Sequence, residues 1–275
     1  MTPDPQAART SLERMRVVKN VQLTEGVGLV VFDAPRIARQ VRPGQFIHLR
    51  IARDAAFILR RPFSVHRVRG DLIEIVYQVL GVGTRALSLA APGEVMDAIG
   101  PLGTGWDVPD DVTHALLVAG GLGAAPLGML AEELSAHGVA VSVALGAPTG
   151  ERLVGRELFE SVARRVVLCT DDGTVGRAGF VTAVVDALLV ADRPDIVCAC
   201  GPEAMARTVC EKASAAGVPC RVSLERLMAC GVGACLSCVV STRTGQKRAC
   251  IDGPVFWADD VVWESVDASC WRGQG

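Results

Sequence analysis

The run Cys230-Gly231-Val232-Gly233-Ala234-Cys235-Leu236-Ser237-Cys238 places three thiols in one short loop, and eleven residues separate Cys238 from Cys250. The spacing C-x4-C-x2-C-x11-C is that of a plant-type [2Fe–2S] ligand set, and it differs from the C-x2-C-x2-C-x3-C-P run of two-cluster bacterial ferredoxins. Three thiolates would come from a wrapped loop and the fourth from a returning segment. Gly231 and Gly233 suit such a loop, because amides that approach bridging sulfurs leave no room for inward side chains. Those N–H groups also offset the negative charge of iron-bound thiolates without burying Lys or Arg. Structural zinc also takes four cysteines, although its ligands usually come as two close sequence pairs, whereas here three share a loop and one stands apart. A disulfide framework is the other alternative. Against it, ten cysteines in 275 residues fall well short of a disulfide scaffold, and Met1 to Arg16 is polar and lacks an apolar h-region. The other six, Cys169, Cys198, Cys200, Cys210, Cys220 and Cys270, lie mostly in apolar runs, where a free thiol is an ordinary small core residue.

A chain of 275 residues, 50% hydrophobic and 21% charged, has the length of about two domains and the composition of a core-forming protein. A net charge of −2 argues against nucleic-acid binding, which usually shows a basic excess. No window approaches the roughly 18 apolar residues of a membrane span. Free thiols and an iron–sulfur loop both imply a reducing compartment, so the cytoplasm is the expected location.

Ahead of the loop the chain must supply scaffolds for whatever the metal serves. From Met15 to about Asp97 short β-type runs dominate: Val17–Leu23, Gly28–Phe32, Gln45–Ile51, Phe63–Val68 and Leu72–Val79, punctuated by turns at Pro43-Gly44, Arg69-Gly70-Asp71 and Pro92-Gly93. This pattern predicts a small antiparallel β-barrel or sandwich. Within it, Arg60-Arg61-Pro62-Phe63-Ser64 puts two guanidinium groups and a hydroxyl at the mouth of a strand, a fork suited to a pyrophosphate or else a solvated face. Gly81-Val82-Gly83-Thr84-Arg85 precedes a short helical run to Ala90 and reads either as an anion-binding turn or as a plain one. Beside a nucleotide-type domain and an iron–sulfur pattern, the pair points to a bound flavin.

Ile99-Gly100-Pro101-Leu102-Gly103-Thr104-Gly105 reads as a glycine-rich connector. Beyond it come the strand His114–Ala119, the turn Gly120-Gly121-Leu122-Gly123-Ala124-Ala125-Pro126 and a helix from Leu127 to His137, the strand, glycine turn and helix order of a nucleotide site. Segments then alternate through Val139–Leu145, Arg156–Val162, Arg165–Cys169, Phe180–Leu189, Asp195–Cys200, Glu203–Ala216 and Val218–Val222. That order predicts a doubly wound parallel α/β sheet. The glycine string departs from G-x-G-x-x-G, and no acidic residue is assigned to a ribose. Cys200-Gly201-Pro202 ends a strand where open sheets bind ligands, so Cys200 is either a core thiol or a neighbour of a nicotinamide ring. Thr170-Asp171-Asp172-Gly173-Thr174 is either a polar turn or a hydrogen-bonding edge for a dinucleotide.

Together these motifs resemble the electron-transfer subunits of class B dihydroorotate dehydrogenases, within the ferredoxin–NADP reductase superfamily, over roughly Arg14 to Trp263. Arg61-Pro62-Phe63-Ser64 and Gly83-Thr84 resemble the family's flavin elements. Gly120-Gly121-Leu122-Gly123 and Cys200-Gly201-Pro202 are similar to its nicotinamide elements, Asp172 lies in a stretch characteristic of this branch, and Ser223 to Cys238 resembles its cluster loop. The resemblance implies an FAD-binding β-barrel (12–105), a NAD-binding α/β domain (106–218), a small [2Fe–2S] domain (219–265) and a tail (266–275). It further implies Cys230, Cys235, Cys238 and Cys250 as iron ligands, an FMN-containing dihydroorotate dehydrogenase subunit as partner, a heterotetramer, and electron flow from that partner through the cluster and FAD to NAD+. No histidine or carboxylate is expected to act as a catalytic acid or base. Two other readings stand beside this one: a related reductase subunit of a hydrogenase or glutamate-synthase-like complex, and a zinc-stabilised structural subunit.

Overall fold

The computed structural model describes residues 10–51 and 58–263, so the expected tail with Cys270 lies outside the described residues. The first unit contains β1 (Ser11–Thr24), β2 (Val27–Asp33), α1 (Pro35–Ala38), β3 (Phe46–Arg50), β4 (Arg61–Ser64), β5 (Arg67–Arg69), β6 (Leu72–Gln78), α2 (Val82–Ser88) and β7 (Val95–Leu102). Its strands are all antiparallel, in the order β4-β3-β7-β1-β2-β6-β5. The first half of β1 shows the reason for a one-sided sheet: Glu13, Met15 and Val17 are buried while Leu12, Arg14 and Arg16 face out. Glu13 is a buried carboxylate because it caps α1, accepting from the amides of Arg36 (3.0 Å) and Ile37 (2.8 Å).

The predicted single run Phe63–Val68 is divided. Val65 N–H donates to Gln45 on the β3 side (3.2 Å) and His66 N–H to Glu74 on the β6 side (2.8 Å). The chain thus crosses between the two edges of the sheet there and curls it into a barrel. The stretch from Ile99 also differs from expectation: residues through Leu102 complete β7, an interior strand between β3 and β1. Gly100 is not a turn residue there. A Cβ on it would sit 2.9 Å from Ile47 Cγ2 on the neighbouring strand, so the glycine answers to packing.

The second unit contains β8 (His114–Gly120), α3 (Ala125–Ala136), β9 (Ala140–Ala147), α4 (Arg156–Val162), β10 (Arg165–Thr170), β11 (Arg177–Ala178), α5 (Val185–Asp192), β12 (Ile196–Cys200), α6 (Glu203–Ala215) and β13 (Cys220–Ser223). After it come the hairpin β14 (Val239–Thr242) and β15 (Gly245–Arg248), and then β16 (Val255–Trp257). The sheet order is β11-β10-β9-β8-β12-β13-β16, parallel except for the antiparallel last pair. Every residue of β8 is buried, as a central strand covered on both faces requires. Strand order reverses between β8 and β12, which places the Gly120–Gly123 turn and the Cys200-Gly201-Pro202 turn on either side of one crevice. A division at 218/219 would cut through this sheet, because β13 and β16 extend it and only the β14–β15 hairpin stands apart.

The barrel docks on the start of α3. His66 Nδ1 lies 3.0 Å from the Ala125 carbonyl, the buried Trp106 Nε1–H donates to the Pro126 carbonyl (3.0 Å), and Arg67 pairs with Glu132. Burial is the largest cause that lowers the His66 pKa below its ordinary 6.5, so the native ring is neutral where the unfolded ring is already protonated. The unfolded state therefore binds more protons in that window. Stability is present in full above 6.5 and falls as pH drops from there toward the depressed native value. Chemical denaturation between about pH 7.5 and about pH 5 is expected to show this loss, with a shallower slope in His66→Gln. An unchanged slope would assign the acid sensitivity to other groups, His48 first.

Candidate functional site

The thiol loop leaves β13 at Leu224, whose amide donates to the Pro254 carbonyl (2.9 Å) beside β16. Gly231 (φ +69°) and Gly233 (φ +79°) take left-handed turns within it. At Gly231 a Cβ would fall closer than 3.0 Å to the His48 ring, and at Gly233 equally close to Ile251, so both positions demand glycine. The turns aim the amides of Val232 (3.5 Å), Ala234 (3.3 Å) and Cys235 (3.4 Å) at Cys230 Sγ, a nest of donors suited to a thiolate. The β14–β15 hairpin then brings Cys250 back, with the Ala249 amide donating to the Cys238 carbonyl (2.9 Å).

The four sulfurs do not close on one point. Among the described residues no three His, Cys, Asp or Glu side chains group tightly enough for a single ion. Cys230 instead lies beside the exposed Cys235, and Cys238 beside Cys250, both of the latter buried. Two thiol pairs fit two irons with two thiolates each, the ligation of a [2Fe–2S] cluster, better than one tetrahedral zinc. The pairs differ electrostatically. Hydrogen bonds from Ser237 hold the Cys235 thiol down at about 6, while burial pushes Cys250 up to about 12.

On the barrel, Arg61 to Ser64 form β4, an edge strand where Pro62 sacrifices no ladder bond. Gly83 in α2 packs on Arg61, since a Cβ there would lie 2.9 Å from Arg61 Nε. The Thr84 hydroxyl accepts from the amides of Leu80 (2.9 Å) and Gly81 (3.2 Å) and so shapes the turn before α2. Of the expected arginine fork only Arg61 stays at this contact, because Arg60 turns to the carboxylate and carbonyl of Asp97. The charge pattern of two adjacent arginines could not reveal that diversion.

The glycine turns of the crevice between β8 and β12 divide into two kinds. Gly120, Gly123 and Gly201 are pressed by protein: a Cβ on Gly123 would strike the Cys200 carbonyl and one on Gly120 would strike Met205. Gly201 (φ +155°) lies against Gly120. Gly121 (φ +56°) alone among them faces open space. Cys200 is buried and desolvation raises its thiol far above the ordinary value, so it is a protonated, neutral side chain. Ser223 lies against it, and Glu225 is near enough for its charge to act on the thiol. Glu225 retains exposed surface, yet its carboxyl is crowded enough for desolvation to raise its pKa. In the sequence both residues read as the start of the thiol loop, and it is the β12–β13 pairing that sets Ser223 opposite Cys200 and carries Glu225 close by.

Asp172 accepts from the amide (3.0 Å) and hydroxyl (2.7 Å) of Thr174, bonds that lower its pKa. With Thr149, Gly150, Glu151, Thr174 and Val175 it lines a cleft of about 510 Å³ past the carboxyl ends of β9 and β10. It is therefore both a turn-former and a wall of a cleft. A second cleft of about 460 Å³, between Glu13, Arg16, Asp33 and Val95, touches none of the motif residues.

A curled antiparallel barrel docked on a parallel nucleotide sheet, with a thiol loop closing over both, is the architecture of a ferredoxin-reductase-like flavin oxidoreductase. The family model for the iron–sulfur cluster binding domain of dihydroorotate dehydrogenase B matches residues 225–262. The chain is 40% identical over 239 residues to the dihydroorotate dehydrogenase B (NAD(+)) electron transfer subunit of Desulforamulus reducens, covering 85% of this chain and 91% of that one. It is 38% identical over 254 residues to the subunit of the same name from Caldanaerobacter subterraneus, covering 91% and 98%. Among solved structures it is similar to a chain of the NADH-dependent reduced ferredoxin-NADP oxidoreductase, studied for flavin-based electron bifurcation, with TM-score 0.83, 33% identity and coverage of 91% and 90%. A ferredoxin reductase of carbazole 1,9a-dioxygenase shares the fold at TM-score 0.65 and 21% identity. The chain belongs to the family of dihydroorotate dehydrogenase B electron transfer subunits. As a member of that family it is an electron-transfer subunit of an oxidoreductase, with an iron–sulfur cluster binding domain over residues 225–262.

The two kinds of glycine are separable by experiment. Gly123→Ala is expected to lower stability by about 1–3 kcal/mol, the scale of overpacking, because the Cys200 carbonyl must move. Gly121→Asn, a residue that tolerates the left-handed conformation, is expected to unfold close to the parent. Urea melts of the two variants check the contrast.

Proposed function

We propose that this chain relays electrons between an FMN-containing dihydroorotate dehydrogenase subunit and NAD+, as one of the two subunit types of a heterotetramer. The observation that carries the reading is adjacency. The thiol loop packs through Gly231 on His48 of β3, and β3 pairs directly with β4, the Arg61–Ser64 strand. A metal cluster on the loop and a flavin on that strand would then lie across one layer of protein.

Each group has chain residues fitted to it. Cys230, Cys235, Cys238 and Cys250 hold the cluster, and the amides around Cys230 Sγ stabilise its negative charge. Arg61 neutralises the FAD pyrophosphate, with Pro62, Phe63, Ser64, Gly83 and Thr84 forming the surrounding surface. Leu59, Leu80 and Val82, neighbours in the chain of Arg61 and Gly83, are exposed apolar side chains available to a flat ring system. At the crevice, Gly121 leaves room for the dinucleotide, Gly120, Gly123, Gly201 and Pro202 hold the two turns together, and Cys200 presents a neutral, polarizable side chain. Asp172 lines the cleft for the dinucleotide's far end. When bound, FAD exchanges electrons singly with an iron–sulfur centre and in pairs, as hydride, with nicotinamide.

Exposed Leu227, Val232, Leu236 and Ile251 rim the thiol loop, an apolar collar of the kind that marks a protein contact, and it supports docking of the partner over the cluster. No helix among the described residues is long and apolar enough to cross a membrane. The cytoplasm fits the nine free cysteines among the described residues. Similarity to the bifurcating oxidoreductase chain favours one second reading, in which the same relay serves a different flavin subunit. Identification of the co-purifying chain separates the two.

Purified protein is expected to hold about two irons and two acid-labile sulfides and to give a paramagnetic one-electron-reduced state. Cys250→Ser should lose the cluster, keep FAD and keep NADH-to-flavin reduction while partner-linked turnover disappears. A colourless protein with tightly bound zinc refutes the assignment. Arg61→Ala is expected to weaken FAD retention by roughly 2 kcal/mol, the value of a charge-assisted hydrogen bond, with iron content unchanged. Equal flavin occupancy of variant and parent after extended dialysis would remove Arg61 from this role.

A further inference from the structure

His48 sits in the middle of β3 with no exposed surface, and its neighbours there are Pro62 of β4 on one side and Ile99 of β7 on the other. Both ring nitrogens are buried without a hydrogen-bond partner. Unsatisfied buried polar atoms are uncommon in native proteins because each forfeits its bonds to water without replacement. A leucine would fill an interior strand position without that cost. The ring has a defined outlook. Nδ1 faces the Cys230–Gly231 turn so closely that only glycine fits opposite it. The backbones of Cys230 and Arg60 approach the ring from the thiol loop and from the start of the flavin strand without completing a hydrogen bond to either nitrogen. The charged groups facing it are Arg60, already committed to Asp97, and Arg61. In either protonation state an imidazole carries at least one ring N–H to give.

We propose that His48 is a positioning residue for the iron–sulfur cluster: its ring N–H, orphaned between β4 and the thiol loop, donates to the Cys230 carbonyl once the loop is closed on iron. The bond ties the first cluster ligand to the strand next to the flavin motif and fixes the separation across which electrons pass. It also restrains the loop against opening. This inference rests on the cofactor assignment proposed above. It adds a residue that neither the cysteine spacing nor the flavin motif contains.

The test compares His48→Leu, which fills the space but cannot donate, with His48→Gln, which restores an N–H of similar reach. Both are expected to fold and to hold FAD and iron at parental levels. In His48→Leu, iron should leave to a ferrous chelator roughly tenfold faster, the scale of one lost hydrogen bond, and the cluster should bleach more slowly after NADH has reduced the flavin. Its reduced-state paramagnetic spectrum should also change. His48→Gln should return all three toward the parent. If His48→Leu does not fold, His48→Phe makes the same comparison. A loaded apolar variant with parental iron release, bleaching rate and spectrum would reduce His48 to a core filler and overturn the proposal while leaving the cofactor assignment intact. A parent chain without iron or without flavin would overturn both.

Discussion

The arrangement depends on how the barrel grips the first turn of α3. That turn follows directly on the Gly120–Gly123 loop, so any freedom there would be freedom of the nucleotide crevice. The barrel removes it with His66, which meets the Ala125 carbonyl, and with the Arg67–Glu132 pair farther along the helix, while Trp106 of the segment after β7 meets the Pro126 carbonyl. The fit is close enough that Gly128 cannot carry a Cβ against His66, nor Gly44 one against Trp106. Arg67 and Glu132 are both mostly shielded from solvent and joined through two nitrogens, which places them above the ordinary surface ion pair.

The thiol region is equally built in. Cys238, Val240, Ala249 and Cys250 share a continuous apolar core with Phe46 and Leu102 of the barrel and with Val197 and Val222 of the nucleotide sheet. The Thr104 amide donates to the Gly253 carbonyl (2.6 Å), and β16 pairs with β13. A relay requires fixed separations between its carriers, and a loop anchored to both units meets that requirement where a flexibly tethered domain would not.

One buried cluster shows why composition alone does not make a site. His114, Ser142 and Asp192 include the residue types of a hydrolytic triad. Ser142, however, lies between the other two, 2.9 Å from His114 Nε2, and donates its proton to Asp192 (2.6 Å), which Arg165 also approaches. The group sits toward the amino ends of β8, β9 and β10, away from the carboxyl ends where open sheets bind ligands. It gives the buried His114 and Ser142 side chains their partners and holds α5 to the sheet.

Whatever rests on neighbours in the chain was legible in the sequence. Cysteine spacing defined a cluster loop, alternation defined the short strands, and the strand, glycine turn and helix order defined the crevice, because turns, strand faces and ligand loops are set by residues a few positions apart. Tertiary structure decided the rest. It made β7 a strand through Gly100 and Pro101, since Ile47 on the adjoining strand needs the room. It split the strand after Ser64 between the two barrel edges, diverted Arg60 to Asp97, and assigned Gly123 to the Cys200 carbonyl. It also brought Glu225 to Cys200 and His48 to Gly231. Each of these contacts joins residues far apart in the chain, and their closeness follows from sheet order and packing, which local spacing does not encode.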